Sequence, residues 1–159
     1  MAGLTAGSFV PAIHAYVAMG RPLLGICLGM PMLMDDSEEY GLTPGLGLIP
    51  GRVRAMARTR PDGTRRKLPS IGWAGLRPGG ANGWAGTVLR DVLPGTPVYF
   101  LHSFHAKPAN AQHLLADYDH DGLAVTAAVR RDNVTGAQFH PEKSGPAGLT
   151  IIRAFLEAG

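Results

Sequence analysis

Cysteine is nearly absent: Cys27 stands alone among 159 residues. No disulfide can therefore close within the chain, and the thiol is left for packing or chemistry. Charge is also sparse, with Asp, Glu, Lys and Arg together only 17% of the residues and a net charge of +3. So small and scattered an Arg excess does not describe a nucleic-acid binder. Neither a long apolar run nor a secretory leader pattern is visible, which excludes a spanning helix within these residues and leads us to expect a reducing, cytoplasmic setting with no membrane partner. With 45% hydrophobic residues, a chain of this length can bury one substantial core, and a single domain over residues 1–159 is expected.

Glycine (22) and proline (13) are abundant by contrast, and they sit between short apolar runs rather than in one tract, which predicts many short elements. Ser8 can cap a helix presenting Phe9, Ile13, Tyr16 and Val17 on one face and ending at Gly20. Leu23 to Ile26 reads as a buried parallel strand, and Leu28 to Met34 as a helix. The middle of the chain turns to strand patterns: Leu46–Ile49, Gly51–Met56 and Lys67–Trp73, the last two joined in an expected hairpin through Arg60–Thr64. Val98–His102, Leu114–Tyr118, Leu123–Arg130 and Val134–Phe139 follow as strands, with a closing helix over Leu149–Leu156. This order predicts a mixed sheet with helices on its faces.

Two motifs carry chemistry. Gly25-Ile26-Cys27-Leu28-Gly29 has the shape of a nucleophile elbow, in which small neighbours let the chain turn sharply from strand to helix around the central residue. A helix starting beside the sulfur would favour its thiolate, and the amides there could hold an oxyanion. A thiol nucleophile needs a base, and the base needs an orienter. His140-Pro141-Glu142 supplies both, because in an extended segment residues two apart share a side and Glu142 can reach the His140 ring. Alone, the His-x-Glu pair is weak evidence; beside the elbow it becomes specific.

These motifs, with the blocks Leu-Gly-Ile-Cys-Leu-Gly-Met (24–30), Ser-Glu-Glu (37–39), Gly-Leu-Gly-Leu-Ile-Pro-Gly (45–51), Gly72-Trp73, Tyr-Phe-Leu-His-Ser-Phe (99–104) and Gln-Phe-His-Pro-Glu-Lys-Ser (138–144), resemble the class I glutamine amidotransferases. The narrower blocks are similar to the glutaminase subunits of imidazole glycerol phosphate synthases, and the likeness runs nearly end to end. The resemblance implies a three-layer, flavodoxin-like α/β domain with a mixed, mostly parallel sheet. It implies a glutaminase that passes ammonia to a β/α-barrel cyclase in a heterodimer, for synthesis of imidazole glycerol phosphate and the purine intermediate AICAR in histidine biosynthesis. Cys27, His140 and Glu142 would be catalytic, Gly29, Ser103 and Phe104 would hold glutamine, and Trp73 and Lys143 would meet the cyclase. No cofactor and no metal is implied.

Departures from the family pattern shape further expectations. The family's opening strand, helix, strand and Gly-rich oxyanion loop have no counterpart ahead of Ser8, so the domain is expected to be truncated at its N-terminus and slow in turnover. Pro31 replaces a family glutamine that contacts substrate, and Ser70-Ile71-Gly72-Trp73-Ala74 loses two polar groups. An amidotransferase serving another acceptor, such as a surface-sugar pathway, or a catalytically silent binding subunit, are the alternatives. His102 and His105 are not expected to bind metal. The basic residues between Arg52 and Lys67 are read mostly as a solvated hairpin.

Overall fold

The structure, a computed structural model, describes residues 1, 3–4, 7–80 and 83–158. Helix α1 (Phe9–Ala18) leads through Arg21-Pro22 into β1 (Leu23–Ile26), and α2 (Gly29–Leu33) follows the elbow at once. Short strands β2 (Asp36–Ser37) and β3 (Thr43–Pro44) precede β4 (Gly51–Ala55). Then come β5 (Ser70–Gly75), β6 (Arg77–Pro78), β7 (Pro97–His102), β8 (Phe104–Pro108), β9 (Leu114–His120), β10 (Leu123–Arg131), β11 (Val134–Ala137) and α3 (Gly145–Leu156).

Three sheets form among the described residues, in the orders β1-β11-β10-β9-β6, β3-β2-β4-β8 and β5-β7. The expected mixed α/β architecture is present, but not the mostly parallel sheet. Only β1 with β11 and β2 with β4 run parallel, and the remaining pairs are antiparallel. Connection length explains this, since β9 and β10 are joined by Asp121-Gly122, both at positive φ, as a tight hairpin turn requires, and so short a link cannot return a strand in parallel.

Helices cover both faces of the five-stranded sheet. On one face α2 contributes Met30 and Leu33 to a core with Val53, Val129 and Val134; on the other, Ile151 of α3 joins Phe100, Tyr118, Ala137 and Phe139. Val10, Ile13 and Val17 of α1 lean on the first core, whereas Phe9 and Tyr16, expected on the inner face, are exposed. Ser8 has a left-handed backbone and makes no side-chain cap. Asn133 ties this entry to the sheet, its Nδ2 donating to Val17 and Arg21 carbonyls at 3.0 and 2.6 Å, while its own carbonyl accepts from Leu23 N–H at 3.0 Å.

Two other expectations are corrected. Leu46–Ile49 is not a strand: the amides of Leu46, Leu48 and Ile49 turn back onto the Met32 and Leu33 carbonyls, satisfying the end of α2 that no further turn could serve. The hairpin expected between Gly51–Met56 and Lys67–Trp73 also does not form. β4 pairs with β8 and β5 with β7, so β8, which was not anticipated, takes the edge that the hairpin would have used.

Candidate active site

Cys27 lies one residue beyond β1 with φ of +49°, the left-handed conformation that an elbow imposes on a residue with a side chain. Its N–H donates to the Ala137 carbonyl at 2.8 Å, which fixes it on the neighbouring strand. Glycine is obligatory at position 25, where a Cβ would stand 2.7 Å from the Gly29 carbonyl oxygen. Gly29 itself has open space, so its small size is not what permits the turn.

Burial, the largest influence, pushes the Cys27 thiol up from its ordinary value, and the charges of Glu142 and Glu39 add to it; the Leu28 amide and Lys143 oppose. The activated thiolate expected of the resting residue is therefore corrected. The reason is that α2 has only five residues, too short a stack of peptide dipoles to outweigh desolvation.

His140 reaches the same end of the sheet along β11, whose Ala137 is registered with Ile26 of β1. Its Nδ1 lies 2.7 Å from Glu142 Oε1. The contact forms as expected, although Pro141–Lys143 is a 3-10 turn and not an extended segment. A carboxylate opposite Nδ1 places the imidazole proton there and leaves Nε2 as the free lone pair. Nε2 is buried without a hydrogen-bond partner among the described residues. Partial burial would raise the Glu142 carboxyl, but the hydrogen bond from His140, reinforced by the Glu142 amide and by Lys143, holds it below the usual range.

The turn is held from below. Ser144 Oγ donates to the His140 carbonyl at 2.6 Å and accepts from Tyr99 N–H at 3.0 Å, while His140 N–H donates to the Tyr99 carbonyl at 2.9 Å. Gly148 lets α3 press against Pro141, since a Cβ there would lie 1.8 Å from the Pro141 carbonyl oxygen.

A pocket of about 230 Å³ opens over Cys27, with Pro31, Glu39, His102, Phe104 and Gln138 in its wall. Among the residues expected to hold substrate, Phe104 lines it, while Gly29 and Ser103 stand outside; Ser103 spends its carbonyl on Met56 N–H at 2.9 Å. His140 and Glu142 also stand outside that wall. A larger, more open cleft of about 830 Å³ beside Gly79, His113 and Arg130 contains none of these groups, and chemistry is better sought at the smaller one. Trp73, 57% exposed, meets Tyr99 edge-on at 6.1 Å, and Lys143 Nζ lies 5.7 Å over the same Tyr99 ring.

Three wall residues were given no role from sequence. Glu39 carries a carboxyl raised by burial. His102 is bound at both nitrogens: Nδ1 at 2.7 Å from the Phe104 carbonyl and Nε2 at 2.8 Å from the Tyr118 hydroxyl. A carbonyl only accepts, so Nδ1 carries the proton and Tyr118 donates to Nε2. Gln138 is the third, and a polar residue inside the apolar run Val134–Phe139 was the signal that could have marked it.

Comparison with known proteins agrees with this geometry. Residues 3–158 match the family model described as glutamine amidotransferase class-I. The chain is 44% identical over 158 residues to imidazole glycerol phosphate synthase subunit HisH 1 of Legionella pneumophila (strain Lens), covering 99% of this chain and 74% of that protein. It is likewise 44% identical to the HisH subunit of Geobacillus thermodenitrificans, over 91% of this chain and 65% of that one. A crystal structure of a glutamine amidotransferase superposes with a TM-score of 0.66 at 20% identity, covering 98% of this chain and 70% of the other, and supports the fold. An elbow cysteine and a His-Pro-Glu turn at adjacent strand ends, within a sequence that matches the family model almost throughout, place this chain in the class I glutamine amidotransferase family.

Proposed function

We propose that the chain, as one glutaminase domain, hydrolyses glutamine to glutamate and ammonia and is the amidotransferase subunit of an imidazole glycerol phosphate synthase in histidine biosynthesis. The observation that carries the chemistry is the His140–Glu142 contact at 2.7 Å, which leaves Nε2 unpaired at the end of the sheet where β1 runs into Cys27 and β11 into His140. Because the resting thiol is neutral, attack requires a base. His140 Nε2 takes the Cys27 proton as sulfur adds to the γ-carbonyl carbon. The oxyanion is met by the Leu28 N–H, the amide following the nucleophile. His140 then returns the proton to the departing nitrogen, ammonia leaves, and a thioester remains. Water attacks it, again through His140, to release glutamate and restore the thiol.

The ammonia acceptor is a cyclase subunit. Two of the relatives named above are subunits of imidazole glycerol phosphate synthase, and exposed Ile71, Trp73 and Leu101 on the β5-β7 sheet offer an apolar surface for such a partner. Lys143 lies beside that surface, over Tyr99.

The test is ammonia and glutamate release by purified protein, alone and with a β/α-barrel cyclase of the histidine pathway. Cys27→Ala should abolish release, and His140→Asn should lower it by roughly 10²–10⁴-fold. Stimulation by the cyclase supports the pairing. Turnover without complex formation favours another acceptor, and binding without turnover a silent subunit.

A further inference from the structure

The pocket over Cys27 has few side chains able to meet a neutral amide. Leu28, Pro31, Leu101 and Phe104 give it an apolar wall, and Tyr40, which also lines it, is 85% exposed, so that its hydroxyl is open to water. Pro31 lacks even a backbone N–H. His102 has committed both ring nitrogens, one to the Phe104 carbonyl and one to Tyr118. Glu39 offers a carboxyl, suited to an ammonium group more than to an amide.

Gln138 differs from all of these. It is only 3% exposed, it lines the pocket, and its Oε1 is buried with no hydrogen-bond partner among the described residues. Its backbone is fixed, with the N–H donating to the Ala127 carbonyl at 2.8 Å, so the side chain cannot easily withdraw. It follows Ala137, whose carbonyl accepts the Cys27 N–H, and precedes His140 by two residues. An amide carried between nucleophile and base is thus held in the pocket wall with its oxygen unsatisfied. Leaving a buried amide oxygen unpaired is costly, and a ligand that donates to it would recover that cost.

We propose that the Gln138 side-chain amide recognises the carboxamide of the substrate, its oxygen accepting an N–H of the scissile amide, so that Gln138 determines specificity for amide over ester or acid. This rests on the glutaminase reading above and deepens it. Glutamine presents the N–H donor for which Gln138 Oε1 has no other partner. A γ-ester presents none, and the product carboxylate offers that oxygen no donor either.

The test compares ligands by how well each protects Cys27 from methyl methanethiolsulfonate, followed by intact mass. In the unaltered protein glutamine should protect at lower concentration than the γ-methyl ester of glutamate. Gln138→Met, close in shape but without the amide, should raise the half-protecting glutamine concentration about tenfold, the size of one lost hydrogen bond, and leave the ester unchanged. Parallel loss for both ligands would mean that Gln138 only supports the pocket floor, and an unchanged preference for glutamine would mean that it makes no contact; either overturns the proposal. Ammonia release is measured alongside. Selective protection without turnover would defeat the glutaminase reading while upholding recognition by Gln138, and no protection by glutamine would defeat both.

Discussion

At the scale of single residues, Cys27 shows two opposed influences on one atom. The elbow exposes its thiol to a pocket and aims the Leu28 amide at it, yet burial dominates and keeps the proton on sulfur. Reaction with iodoacetamide should therefore keep accelerating as pH rises past 9, with no plateau near neutrality. A plateau at pH 7 would show that the amide and Lys143 outweigh desolvation. The motif itself was legible in sequence because Gly25 is demanded by backbone contact. The protonation state was not, since desolvation depends on which distant segments, here those of Glu39, His102 and Phe104, close over the sulfur.

At the scale of elements, the His-Pro-Glu turn depends on its supports more than on its own three residues. Gly148→Ala would drive a methyl group into the Pro141 carbonyl and force α3 away from the turn. We expect a loss of roughly 1–3 kcal/mol in urea unfolding and a fall in kcat larger than any change in KM, because the His140–Glu142 geometry moves while the pocket wall does not. Tyr118 plays a similar part on the other side. Its hydroxyl donates to His102 Nε2 and approaches Ser70 Oγ at 2.9 Å, and its ring stacks on Phe100 with centroids 4.0 Å apart. Tyr118→Phe keeps the stacking but strands Nε2, which should destabilise the protein by about 1–3 kcal/mol, measured by urea unfolding at pH 7.5. Sequence periodicity placed β7, β9 and β10 correctly because apolar alternation is local. It could not pair them, and the expected hairpin failed because strand choice is set by what the rest of the chain brings alongside.

For the molecule as a whole, buried His105 and half-buried His102 should govern acid stability. Burial, the largest influence in each case, lowers His102 and His105 from 6.5 to about 4. For His102 the Phe104 carbonyl opposes this while His105, His120 and His140 reinforce it; for His105 Lys107 reinforces it. Between about pH 6.5 and 4 the unfolded chain binds these protons and the folded chain does not, so stability is full above 6.5 and falls as pH drops towards 4. A shift of this size corresponds to at most about 3 kcal/mol for each residue. The urea midpoint should decline across that window, and His105→Gln should flatten the decline; an equal slope in the variant would assign the acid sensitivity elsewhere. Among the described residues no helix is long and apolar enough to cross a membrane.

The sequence by itself determined the family, the elbow and the His-Pro-Glu pair, because each depends on contacts between residues a few positions apart. The spans of helix α1 and of strands β1, β9 and β10 were legible in the same way, by local apolar spacing, although the inner face of α1 and the pairing of the strands were not. Only the tertiary structure decided that most strand pairs run antiparallel, that 45–49 closes the end of α2, and that Glu39, His102 and Gln138 share a pocket with Cys27. Those outcomes depend on segments up to a hundred residues apart competing for the same edges and faces, and burial, which sets both the proton on Cys27 and the unsatisfied amide of Gln138, exists only once they have met.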